Sequence, residues 1–192
     1  MDLRHATTAR LRLDAVVPAD LDEHHALLSD PGAWEHLPSG RHTSRERTAA
    51  GIGAPVRHWT ADGLGSWSAR LRGDVGDLPA GRFVGTGGCA RRQGTRWWNL
   101  SYRFTPPAWG HGLAGELVTA ALDAARAVAP ERPAVACLLE HDTASRRRAE
   151  RAGPTLVRRG PDAGNPDPAA VRLVPAGRPL DDDLLAAVTA LA

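Results

Sequence analysis

Residues 97–128, WWNLSYRFTPPAWGHGLAGELVTAALDAARAV, carry a strand-like segment, a Pro-Pro step, a glycine-rich loop and an apolar helical run. Gly110, Gly112 and Gly115 fit G-x-G-x-x-G, a pattern in which glycines let the backbone approach phosphates at a helix N-terminus. The same spacing also occurs in loops that merely turn into a helix, so the flanks decide. Before the loop, Trp98, Leu100, Tyr102 and Phe104 alternate with Asn99, Ser101 and Arg103, which gives one apolar and one polar face. The first strand of a doubly wound dinucleotide-binding sheet is buried on both faces, whereas two unlike faces suit a mixed or antiparallel sheet. A dinucleotide fingerprint also opens its domain, and here the loop lies past the middle of the chain. The NAD-binding reading keeps one support, Glu140 after the apolar run 134–139, in the manner of a ribose-binding carboxylate. A P-loop is excluded because it needs a lysine, and all 24 basic residues are arginines.

Outside this stretch the composition bounds the answer. A chain of 192 residues with 42% apolar and 24% charged residues fits one globular domain over 1–192, with a core over about 10–174 and a helical tail over 181–192. No run approaches the roughly 18 apolar residues of a membrane span. The first 30 residues carry Asp2, Arg4, Arg10, Arg12 and Asp14 and no apolar core, so no secretory signal is expected and the location is cytoplasmic. Cys89 and Cys137 lie in strand-like runs and read as small buried hydrophobes. The histidines are scattered, and the adjacent His24 and His25 lack the i, i+4 spacing of helical metal ligands, so no metal is predicted. Net charge is +2, and the run Arg146-Arg147-Arg148 has Glu150 beside it and no aromatic neighbours, so it reads as a solvated helix face that can touch phosphate and not as a nucleic-acid patch.

The elements follow in order. A strand over 10–16 precedes a helix over about 18–28, a loop over 34–42 and a second helix over 43–59. Strands over 65–72 and 82–92, joined by the turn-rich 73–81, form a hairpin that the strand 97–105 extends into a meander. After the glycine loop, Leu113, Leu117, Ala121 and Ala125 recur at i+4 beside Val118 and Leu122, which predicts a core-facing helix. A short buried strand over 134–139 leads to a helix capped by Asp142 or Thr143 and ended near Gly153. A loop over 160–168, a strand over 170–174 and a helix opened by Asp181-Asp182-Asp183 complete the chain. The fold class is α/β, in its α+β form: a three-layer αβα arrangement on a mixed, mostly antiparallel, twisted sheet.

This order, with Trp109-Gly110-His111-Gly112-Leu113-Ala114 after the meander and Asp142-Thr143-Ala144-Ser145 before a helix ending at Gly153, resembles the GNAT superfamily of N-acetyltransferases. The nearest branch is the ribosomal-protein-alanine acetyltransferase (RimJ/RimL-like) group. The resemblance implies acetyl-CoA as co-substrate, its pyrophosphate held by backbone N–H groups of His111, Gly112, Leu113, Ala114 and Gly115 on a loop opened by Trp109 and Gly110. Trp109 stands where the superfamily usually has Gln or Arg, so a phosphate contact is lost that Arg146 or Arg148 can replace. The main chain of Tyr102, Arg103 and Phe104 is implied to pair with the pantetheine arm, one N–H polarising the thioester carbonyl. Asp142 takes the place of a pantetheine-binding Asn, and helix capping is its other role. Ser145 matches the serine implied to protonate the departing CoA thiolate as general acid, and an exposed hydroxyl in the first helical turn is its other role.

The implied reaction is direct attack by a primary amine, of a protein N-terminus or a small molecule, with no covalent enzyme intermediate. None of Glu35, Glu46, Glu116 or the histidines is singled out as the base. Trp34, Trp59 and Trp67 are candidates for the acceptor pocket wall, with core packing as the alternative role of each. A non-catalytic acyl-CoA sensor or scaffold of the same fold is the competing reading. Monomer and homodimer both remain open.

Overall fold

The computed structural model describes residues 2–91, 94–162 and 165–191. Two strands, β1 (His5–Thr7) and β2 (Leu11–Ala15), open the chain, and α1 (Leu21–Ser29) and α2 (Arg45–Asp62) follow. The meander β3 (Ser66–Leu71), β4 (Phe83–Ala90) and β5 (Trp98–Phe104) leads into α3 (Leu113–Val128), β6 (Ala134–Val135) and β7 (Leu138–Leu139). Then come α4 (Thr143–Ala152), β8 (Thr155–Pro161), β9 (Val171–Ala176) and α5 (Asp182–Leu191). Boundaries follow local chemistry. The Ser44 hydroxyl accepts the Arg47 N–H at 3.2 Å to cap α2, and Gly63, at φ 67°, ends that helix. In α3 the i, i+4 stripe of Leu113, Leu117, Ala121 and Ala125 is buried as its spacing predicts.

The strands pair in the order β1-β2-β3-β4-β5-β6-β9-β7, with β8 on the free side of β9. Every pairing among the described strands is antiparallel except that of β5 with β6. Register sorts the side chains between two faces. Leu13, Ala69, Gly85 and Phe104 align across β2 to β5, as do Ala15, Trp67, Gly87 and Tyr102, and this face packs on α3. Ser68, Thr86 and Arg103 align on the opposite face. There the His24 ring of α1 meets the Ser68 hydroxyl at 2.9 Å, and Phe83 packs with Leu27 and Ala33. Helices thus cover both faces of a mostly antiparallel sheet, the three-layer arrangement expected.

One feature of the sheet positions the site. β5 pairs with β6 only at Trp98 with Ala134 and Asn99 with Val135, after which β6 turns to β9. From Leu100 onward that edge of β5 has no strand partner among the described residues, so the sheet splits.

Several expectations change. β1 and β8 were not anticipated: β1 has three residues, too few to show a period, and β8 ends in Arg158-Arg159-Gly160-Pro161 with no apolar alternation. The strand expected over 134–139 is two short strands. They lie opposite β9 at Val135 with Ala176 and Leu138 with Leu173, and the ladder breaks opposite Pro175, which has no N–H to give. Cys137 is exposed and not a buried hydrophobe, whereas Cys89 is buried and burial pushes its thiol up to about 12. Arg92 at the end of the expected strand 82–92, residues 163–164 of the expected loop and Ala192 of the expected tail lie outside the described residues. Among the described residues no helix is long and apolar enough to cross a membrane, and no group of His, Cys, Asp or Glu could hold a metal ion.

Candidate functional site

The glycine loop leaves the end of β5 through a 3-10 turn, Pro106–Ala108, in which the prolines pre-set the backbone and remove N–H donors. The Trp109 indole then donates its Nε1–H to the Phe104 carbonyl at 2.9 Å, which pins the loop to the strand and leaves the ring half exposed. Gly110 and Gly112 hold φ of 81° and 78°, the left-handed region that costs a non-glycine residue about 1–2 kcal/mol. No side chain caps α3 at Gly112, so the positive end of its dipole is left uncapped, but the Gly115 N–H, expected as a phosphate donor, is taken by the Gly112 carbonyl at 2.9 Å.

Two guanidiniums flank that helix end. A Cβ on Gly115 would lie 2.5 Å from Arg148 Nη1, and one on Gly112 would lie 3.4 Å from Arg10 Nη2. Arg148, from α4, has no ion pair or hydrogen bond among the described residues, while Arg146 leans toward Glu150 at 3.7 Å. Of the two arginines expected to replace the missing phosphate contact, Arg148 is therefore the one beside the loop. Arg10 is held by Glu116 in the first turn of α3, which accepts the Arg10 backbone N–H at 3.0 Å and also the Thr8 hydroxyl. Burial raises the Glu116 carboxyl, but hydrogen bonds from Thr8 and Arg10 outweigh it and hold its pKa below the usual glutamate value. His111 is exposed and lies against Gly76 of the β3–β4 turn.

Between β5, β6, α3 and α4 lies a narrow apolar cleft lined by Leu100, Tyr102, Val118, Ala134, Leu138, Arg148 and Ala149. The Tyr102 side chain lines it, beside Ser145 in the first turn of α4. Burial pushes the Tyr102 phenol above its ordinary value, against the opposing influence of Ser145. Asp142 caps α4, its Oδ1 accepting the Ser145 N–H at 3.0 Å.

Arg103 points the other way. Its guanidinium lies 3.5 Å over the Trp34 ring, donates to the Ala33 carbonyl, and approaches His36 Nε2 at 3.4 and 3.5 Å. It has no carboxylate within ion-pair distance among the described residues; burial lowers its pKa to about 10, with Asp142 acting in the opposite sense. Burial, then the Arg103 charge, likewise hold the His36 ring below its ordinary value and therefore neutral at pH 7. Trp34 stacks nearly parallel to His36, and its Nε1 is buried without a hydrogen-bond partner among the described residues. His141 Nε2 donates to the His36 carbonyl at 2.8 Å, tying the residue before Asp142 to the loop between α1 and α2 across the sheet split.

The structure thus places Tyr102, Ser145 and Asp142 on one side of the β5 edge and Arg103 and Trp34 on the other, with the glycine loop following the end of β5. It does not bring Trp59 or Trp67 there. Trp67 is fully buried against Trp59 and donates to the Leu3 carbonyl at 2.8 Å, so its role is packing and not a pocket wall. Sequence reasoning missed His36, His141 and the Arg103 side chain. Only the polar-face position of Arg103 in the alternating strand could have hinted at the last.

The sequence over residues 10–155 matches the family model of the acetyltransferase (GNAT) domain. No curated protein matches the chain significantly. Among solved structures, an acetyltransferase from Agrobacterium tumefaciens str. C58 superposes with TM-score 0.68 at 22% identity, covering 88% of this chain and 92% of that one. The RimL ribosomal L7/L12 alpha-N-protein acetyltransferase in complex with coenzyme A gives 0.70 at 20% identity, covering 92% and 97%. An acetyl transfer enzyme from Salmonella typhimurium that modifies the N-terminal serine of 50S ribosomal subunit protein L7/L12 gives 0.67 at 18%, covering 91% and 97%. These likenesses establish the fold, and the family match, which spans well over half the chain, establishes kinship: this protein belongs to the GNAT family of acyl-CoA-dependent acetyltransferases.

Proposed function

We propose that this chain transfers the acetyl group of acetyl-CoA to a primary amine by direct attack. The observation that carries the reading is the unpaired edge of β5 running into an uncapped helix N-terminus flanked by Arg10 and Arg148. An extended pantetheine arm can add to the strand edge as a peptide would, while the pyrophosphate takes the N–H groups of the loop and of α3 ahead of Gly115, with the Arg148 charge. The amine nitrogen attacks the thioester carbon, whose oxygen gains charge and is met by a β5 backbone N–H. As the C–S bond breaks, the thiolate takes the Ser145 hydroxyl proton, which the Tyr102 phenol beside it can replace. The amine proton leaves through water to His36, kept neutral by burial and by the Arg103 charge.

The Asp142 carboxylate favours a second reading. Already engaged in capping α4, and able only to accept, it does not reproduce an Asn amide that donates to pantetheine. A non-catalytic acyl-CoA sensor would keep such a site. Two measurements separate the readings. Acetyl-CoA and CoA raise Tm under both, and stabilisation by NADH alone refutes both. Release of free thiol with at least one amine of a broad panel supports the enzyme, and its absence supports the sensor.

A further inference from the structure

Arg103 is a guanidinium held in place by neutral groups alone. Its contacts are the Trp34 ring, the Ala33 carbonyl and the His36 imidazole, and no carboxylate lies within ion-pair distance among the described residues. The acid that acts on it, Asp142, accepts the Ser145 N–H. A half-buried cation is ordinarily paired, because removing charge from water is costly unless a counter-charge replaces the solvent. Here Asp142 acts on it only from beyond ion-pair distance, and the guanidinium lies on the face of β5 opposite the Tyr102 cleft, against Trp34, the candidate acceptor wall. Trp34 is fixed beside it: Gly40 packs so closely under the ring that a Cβ there would lie 2.2 Å from it. The buried Trp34 Nε1 adds a second donor without a partner.

We propose that the acceptor amine of this enzyme carries a carboxylate, and that Arg103, braced on Trp34, binds it. The inference rests on the acetyltransferase reading above and narrows its substrate class: amino acids, or peptides with an acidic side chain near the N-terminus, are acceptors, and polycationic amines are not. A polyamine or aminoglycoside would bring positive charge against Arg103 with nothing acidic to offset it.

The test is thiol release from saturating acetyl-CoA with matched acceptor pairs on the wild-type protein. One arm compares free amino acids with their amides, a second compares amidated Ser-Glu peptides with Ser-Gln peptides, and spermidine is the cationic control. In at least one arm the carboxylate member is expected to show kcat/KM higher than its neutral partner by about tenfold or more. The arm that responds identifies the source of the carboxylate. Arg103→Gln should collapse that ratio toward one through KM, and Arg103→Lys should restore part of it, because lysine keeps the charge without the planar fork. Equal rates within every pair, a preference for spermidine, or an unchanged ratio in Arg103→Gln overturns the proposal and leaves the acetyltransferase reading standing. The wild-type pairs decide even where a variant fails to fold. If no amine yields thiol while CoA still raises Tm, the enzyme reading falls and the proposal falls with it.

Discussion

Gly115→Ala separates what the N-terminus of α3 does for stability from what it does for the ligand. Gly115 lies in the first turn of α3 outside the left-handed region, so an added methyl group restores ordinary helix propensity, about 0.5–1 kcal/mol. In a chain of this size that raises Tm by about 1–4 °C. The same methyl would lie 2.5 Å from Arg148 Nη1. The guanidinium ends a flexible side chain and can swing away with little loss to the fold, but its charge then leaves the helix end. A hydrogen bond to a charged group contributes about 1.5–3 kcal/mol, so CoA affinity is expected to fall between about tenfold and a hundredfold. Calorimetric titration of CoA into wild type, Gly115→Ala, Arg148→Ala and the double variant reads this directly. Because both changes remove the same contact, the double variant should bind about as the weaker single variant does. Additive losses, or undiminished affinity in Gly115→Ala, refute the assignment of Arg148 to the phosphate.

Glu116→Ala deprives the Thr8 hydroxyl and the Arg10 backbone N–H of their shared acceptor, and should cost about 1–3 kcal/mol, seen as a Tm lower by about 2–12 °C. Ser145→Ala is expected to lower kcat on the order of 100-fold with little change in KM for acetyl-CoA. Adding Tyr102→Phe should lower it no further if the phenol acts through Ser145, and a multiplicative loss would show that it does not. The rings of His24, His36, His42 and His58 all have pKa values lowered chiefly by burial. The unfolded chain therefore takes up protons from about pH 6.5 downward before the folded protein does. Stability from these rings is full above that pH and is lost below it, so Tm should drop between about pH 7.5 and about pH 5.5. A Tm that stays level or rises on acidification contradicts this.

The parts of the site that were legible in sequence are those built from neighbours along the chain. Alternation in β5, the Pro-Pro step, the glycines and the i, i+4 stripe of α3 lie within 97–128, and Asp142 and Gly153 bound α4 by the local rules of caps. Trp34 and Trp67 were not separable that way, since an indole in a polar context can wall a pocket or fill a core. Register decided it. Trp67 faces α3 beside Ala15 and Gly87, whereas Trp34 lies on a loop that Arg103 reaches from the opposite face. β8 escaped because its stability comes from pairing with β9 and not from a buried face of its own.

By itself the sequence determined most of the elements, their order and the glycine turn that opens α3, because helix stripes, strand alternation and left-handed glycines are set by interactions within a few residues. What only the tertiary structure decided is the opening beside β5 and the groups around it. The sheet splits where β6 leaves β5 for β9, and Arg103 meets partners that stand 67 and 70 residues away in the chain. Contacts across such distances depend on strand register and on which face each side chain takes, and no short window of sequence contains them.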